Sequence, residues 1–137
     1  MLLGNTHTQE RTPNRVNKQK IRARVSPIVP ESEKTLEAKF RKACEDKGWM
    51  AIKLLSQLHR GLPDRMVLAP FGLTFFAEIK TTGKRPTKLQ KHCHAQLREL
   101  GFDVYVIDST TSLEQAIALM DRTVIAVRIK LDDWGEL

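Results

Sequence analysis

The sequence predicts an α/β protein with a mixed sheet. Three observations carry that expectation. Short apolar runs rich in β-favouring residues sit in the middle of the chain, around Met66–Ala69, Leu73–Ala77 and Val104–Ile107. Stretches with apolar residues at helical spacing flank them on both sides. Gly and Pro fall between these stretches rather than inside them. The expected order is helix, three strands, helix, strand, helix and a final strand. With 137 residues, the chain can build one domain with a modest core but not comfortably two.

The first helix begins after Ser32, which can cap it, with Glu33 favourably placed in the first turn. Leu36, Phe40, Ala43 and Cys44 form its apolar stripe, flanked by Glu33 and Glu37 one turn apart, and Gly48 stops it. Trp49 to Leu55 reads as a strand, and Ser56 to Gly61 as a loop. Residues 61–80 then form a hairpin broken by Pro70-Phe71-Gly72. A second helix is expected from Thr87, with Leu89, Cys93, Leu97 and Leu100 as its stripe and Gly101 as its stop. Val104–Ile107 is a buried strand. Ser112 and Gln115 have the spacing of a capping box for a third helix, with Leu113, Ala116, Ile117 and Met120 facing inward. Thr123 to Leu131 alternates through Ile125, Val127, Ile129 and Leu131 like a last strand.

Charge divides the chain. The formal net charge is +7, but residues 1–30 hold six Lys/Arg and one acid, while the other 107 residues are nearly balanced. We therefore expect a basic, flexible arm over 1–30 and a folded domain over 31–137. Such an arm attracts phosphates. The two cysteines, Cys44 and Cys93, lie on helix stripes, which suits reduced buried thiols and a cytoplasmic setting better than a disulfide or a metal site. No apolar stretch approaches the roughly 20 residues needed to cross a bilayer. The first residues are too short for a signal-peptide core.

The chemistry concentrates at the open end of the hairpin. Pro63-Asp64 precedes its first strand, and Glu78-Ile79-Lys80 ends its second, with Asp64 and Glu78 fourteen residues apart. The hairpin brings Asp64 beside Glu78, and strand alternation turns Glu78 and Lys80 to one face. Asp64 and Glu78 offer hard oxygen ligands suited to Mg²⁺ or Mn²⁺ rather than zinc, and the Ile79 carbonyl can add a third. Lys80 could orient or deprotonate a water, or stabilise charge on phosphorus. These types together point to metal-assisted phosphodiester hydrolysis, and the chain shows no Ser-His-Asp pattern for acyl transfer. From Lys80 to Lys91 there are five cations and no acid. Lys84, Arg85, Lys88 and Lys91 form a phosphate-facing rim, and Arg60 and Arg65, on either side of Pro63-Asp64, join them as candidate DNA contacts. His59, His92 and His94 lack zinc-site spacing and read as surface or rim residues.

In order along the chain, Glu37, Gly61-Leu62-Pro63-Asp64-Arg65, Glu78-Ile79-Lys80 and Gln90 resemble the VRR-NUC family of the PD-(D/E)xK nuclease superfamily. Pro86–Gln90 and Leu97–Ser109 resemble its small stand-alone members from phages and bacteria. The resemblance spans about Glu33 to Ser109. It implies a restriction-endonuclease-like αβββαβ core, Mg²⁺ or Mn²⁺ dependence, DNA as substrate, and kinship with dimeric resolvases of four-way junctions. It assigns Asp64 and Glu78 as metal ligands, Lys80 as catalytic and Gln90 as a supporting residue. It places Glu37 on the first helix, reaching the metal through a water. Glu33, one turn earlier, is the other carboxylate that can take that place. The expected function is thus a DNA endonuclease acting as a homodimer on branched DNA. The alternatives are a nicking or flap repair nuclease, and an idle DNA-binding module. Intact Asp64, Glu78 and Lys80 speak against the latter.

Overall fold

A computed structural model describes residues 29–55 and 59–135. Most of the expected basic arm, residues 1–28, lies outside them. The first helix, α1, runs Glu33–Asp46. The Ser32 side chain accepts from the Thr35 N–H and caps it, while Gly48, at φ 76°, lets the chain turn away. Strand β1 is Met50–Lys53, shorter than the expected Trp49–Leu55, because Trp49 is buried in the core while Leu55 is exposed. Strands β2 (Arg65–Leu68) and β3 (Thr74–Ile79) make the expected hairpin around a short 3₁₀ turn at Pro70–Gly72. Helix α2 (Lys88–Glu99), strand β4 (Asp103–Ile107) and helix α3 (Thr110–Asp133) complete the described chain.

The four strands lie in the order β1-β2-β3-β4. The first three form an antiparallel meander, and β4 joins β3 in parallel after the crossover through α2. The sheet is mixed, as the sequence predicts. Alternation along β3 assigns its two faces. Phe75, Ala77 and Ile79 enter a core with Leu36, Phe40 and Cys44 of α1 and Leu113, Ala116, Met120 and Val124 of α3. Phe76 turns the other way, where its ring meets Phe102 edge-on at 5.4 Å. Glu78 follows Phe76 onto that second face, the one α2 covers.

The end of the chain departs from expectation. No strand forms over Thr123–Leu131; α3 is one helix of 24 residues. Its cap is Ser109, which forms a capping box with Ser112, so Ser112 lies inside the first turn rather than before it. The buried residues Leu113, Ala116, Met120 and Val124 set a three- to four-residue period, and half-buried Val127 and Leu131 continue it. Ile125 and Ile129, half of the alternating run, point to solvent. Burying the helical stripe outweighs the local β preference of the branched residues. Helix α2 also presents a different face. Leu89 and Leu100 are exposed, while Cys93 and His94 are the buried positions. No described helix is long and apolar enough to cross a membrane.

Candidate active site

The site forms where β2 begins and β3 ends. Arg65 pairs with Ala77, so Asp64, one residue earlier, stands across from Glu78. Two hydrogen bonds fix Asp64. Its Oδ2 accepts from the Ile79 N–H at 2.8 Å, and its carbonyl accepts from the Leu54 N–H at 2.8 Å. The loop before it is set by Gly61, at φ +88°. A Cβ there would lie 2.8 Å from the Leu89 carbonyl oxygen, so only glycine lets this loop rest on the first turn of α2.

Glu78 is 1% exposed. Gln90 donates from Nε2 to its Oε1 at 2.9 Å, and the Lys80 ammonium lies 3.3 Å from the same oxygen. Gln90 is held at both ends of its amide. Its Oε1 accepts from the Thr87 N–H, completing the α2 capping box, which leaves the NH₂ group for Glu78. The helix cap therefore sets the orientation of the amide at the site. Glu78 Oε2 is buried with no hydrogen-bond partner. Burial, and then the neighbouring Asp64 carboxylate, push Glu78 up to about 7, against the opposing charge of Lys80.

His94 is a second buried orphan, and the expectation of a surface or rim histidine is corrected here. It is 1% exposed, and its Nε2 lies 3.6 Å from Glu78 Oε2, beyond hydrogen-bond range. Burial, then the Arg98 and Lys80 charges, hold His94 below the usual histidine range. The same causes disfavour an imidazolium beside Glu78. The sequence signal for it is its place one turn after Gln90 on the same helix face. His59 and His92 are exposed.

Glu37 is placed differently. Its Oε1 meets Arg65 at 2.7 Å and Lys53 at 3.3 Å. Lys53 pairs with Arg65, and Arg65 with Ala77, so this cluster occupies the α1 face, opposite Glu78. Burial works against the ionised Glu37, but Arg65 and Lys53 hold its pKa below the ordinary value. The structure thus brings Asp64, Glu78, Lys80 and Gln90 together, and it sets Glu37 among cations on the other face. Glu33 is exposed, as are Arg60, Lys84, Arg85, Lys88 and Lys91. Arg65 is 9% exposed and structural in its contacts, donating also to the Ala51 carbonyl at 3.1 Å.

Among the described residues no group of three or more His, Cys, Asp and Glu side chains is arranged to hold a metal ion. Two adjacent carboxylates, one with a buried oxygen lacking any partner, nevertheless fit a small hard cation. Asp64 and Glu78 are the residues that could hold it.

No family model matches the chain. It is 43% identical over 77 residues to a protein named "Putative nuclease p44" from Acyrthosiphon pisum secondary endosymbiont phage 1, a match covering 56% of this chain and 78% of that protein. A solved structure titled "VRR_NUC domain" superposes with a TM-score of 0.60 at 24% identity, covering 64% of this chain and 97% of the other. The chain belongs to the nuclease family of that phage relative and carries the VRR-NUC fold.

Proposed function

We propose that the protein is a Mg²⁺- or Mn²⁺-dependent DNA endonuclease. The observation that carries this reading is the convergence of Asp64, Glu78, Lys80 and Gln90 at one end of the sheet. Asp64 and Glu78 would hold the cation, which supplies charge neutralisation at the scissile phosphate. Lys80, beside Glu78 and 18% exposed, is placed to orient an attacking water or to stabilise charge on phosphorus. Gln90, itself fixed by the α2 cap, keeps Glu78 in one rotamer. Lys84, Arg85, Lys88 and Lys91, all exposed near the N-terminus of α2, provide the phosphate-facing rim, with Arg60 beside the site loop. Glu37 supports the site through Arg65, the residue after Asp64. The buried free thiols of Cys44 and Cys93 support a reducing, cytoplasmic setting.

The finer reading is a homodimer acting on branched DNA, with a single-subunit nicking or flap nuclease as the alternative. Symmetric cutting of two strands needs two such sites. Cleavage of a panel of duplex, flap, splayed-arm and four-way-junction DNA with Mg²⁺, with Mn²⁺ and with chelator tests the proposal. Cleavage that requires the cation and disappears in Asp64→Ala and Lys80→Ala is the expected result. Undiminished activity in either variant overturns the site. Sedimentation of the full chain separates dimer from monomer.

A further inference from the structure

An open cleft of about 260 Å³ lies on the α1 face, lined by Lys34, Glu37, Ala38, Arg41, Lys53 and Arg65. It holds four cations and one carboxylate, so three positive charges remain uncompensated within it. Glu37 Oε1 meets both Arg65 and Lys53, which holds those two cations in place. Arg41 leans on Glu45 at 3.6 Å, but both side chains are more than half exposed and such a pair is easily exchanged for another anion. Arg65 is nine-tenths buried, and its Nε is a buried donor with no acceptor. A fixed guanidinium beside two ammonium groups and a second guanidinium is the chemistry of a phosphate site. The room is larger than one phosphate group needs.

Arg65 directly follows Asp64, and Ala77, its strand partner, directly precedes Glu78. The cleft and the carboxylate pair therefore occupy the same end of the sheet, on opposite faces. A flexible strand can round that end and touch both. We propose that the cleft binds backbone phosphates of a single-stranded DNA segment as it leaves the carboxylate centre. This rests on the nuclease reading of Asp64 and Glu78. It gives Glu37 a positioning role, holding the clamp that grips the departing strand.

The test measures binding of the full chain, in chelator so that no cutting occurs, over a series of salt concentrations. The probes are a blunt duplex, the same duplex with a single-stranded overhang, and inorganic phosphate alone, the last followed through the Arg65 Nε resonance. The variant is Lys34→Ala with Arg41→Ala, two exposed positions on α1 where no buried contact is lost. Each single-strand phosphate contact contributes about 0.7 to the log–log salt slope, so the overhang slope should fall by about 1.4 in the double variant. The blunt-duplex slope should not change. An unchanged overhang slope overturns the proposal, and so does an equal loss on blunt duplex. A phosphate-induced Arg65 shift without any overhang effect makes the cleft a free-phosphate pocket and also overturns it. If the unmodified chain binds neither DNA in chelator, the cleft proposal is overturned, and the nuclease reading fails as well only if cleavage with Mg²⁺ or Mn²⁺ is also absent.

Discussion

Glu78 and Glu37 lie at the same end of one sheet, on opposite faces, and the protein treats them in opposite ways. Glu37 is surrounded by opposite charge, bonded by Arg65 and Lys53, and held below its ordinary pKa. Glu78 is buried beside another carboxylate, keeps one oxygen without a partner, and is pushed up to about 7. A carboxylate held by two cations is stabilised as the charged form. One buried at a cost, beside a second carboxylate and with an oxygen left unpartnered, marks a candidate functional position. The comparison also separates two kinds of loss on mutation.

The largest effect should come from Glu78→Gln. Gln keeps an acceptor for Gln90 but removes the ligand charge, so cleavage should fall on the order of a thousand-fold. Stability should hold to within about 1 kcal/mol or rise, because a strained buried carboxylate is gone. Chemical denaturation and single-turnover cleavage, run on the same preparation, check both halves. Strong destabilisation with retained cleavage would erase the contrast between the two faces.

Glu37→Gln should do the reverse. Arg65 would keep a buried guanidinium facing a weaker acceptor, and the loss of its charged hydrogen bond should cost about 2 kcal/mol. Cleavage by the folded fraction should fall far less than in Glu78→Gln. A Glu37→Gln protein of unchanged stability but no activity would instead place Glu37 in the chemistry on the other face.

Gly61→Ala sharpens the comparison from the backbone side. The added Cβ would sit 2.8 Å from the Leu89 carbonyl oxygen, and φ of +88° strains any L side chain. The loop must shift, carrying Asp64 away from Glu78. We expect a stability cost of about 1–3 kcal/mol and a larger loss of cleavage than that cost alone explains. Leu89→Ala, which leaves the backbone contact intact, should change cleavage little.

The readable parts of the fold were those where periodicity and punctuation agree. Ser32 and Gly48 bracket α1, and Pro70 to Gly72 split the hairpin, so those elements stand out locally. The hairpin length alone brings Asp64 beside Glu78. The last helix was hidden because Ile125, Val127, Ile129 and Leu131 alternate, while the winning period runs through Met120 and Val124 and depends on what α3 packs against. His94 is legible only through its i,i+4 spacing to Gln90, a relation that zinc-ligand spacing does not test. Glu37's partners could not be read, since Arg65 and Lys53 meet only through the β1–β2 register, a non-local pairing.

The smallest predicted effect lies away from both faces, at Glu31, and it tests whether a satisfied carboxylate behaves as Glu37 is argued to. Glu31 is bonded by Lys39 and by the Thr110 hydroxyl, and it accepts from the Thr110 N–H at the start of α3 at 2.7 Å. These bonds lower its pKa from 4.5 to about 2. Folding therefore favours the ionised form, so this contribution to stability is complete above the ordinary carboxylate range. It is lost as pH falls from about 4.5 toward 2, where the folded protein must also take up the proton. Glu31→Gln should lower Tm at pH 6, and its curve should converge on that of the unmodified protein as pH falls through about 2, below which both carry a neutral side chain. Thermal denaturation between those limits decides it. Parallel curves would mean that the Glu31 contacts hold the α3 N-terminus by geometry alone, with charge contributing nothing.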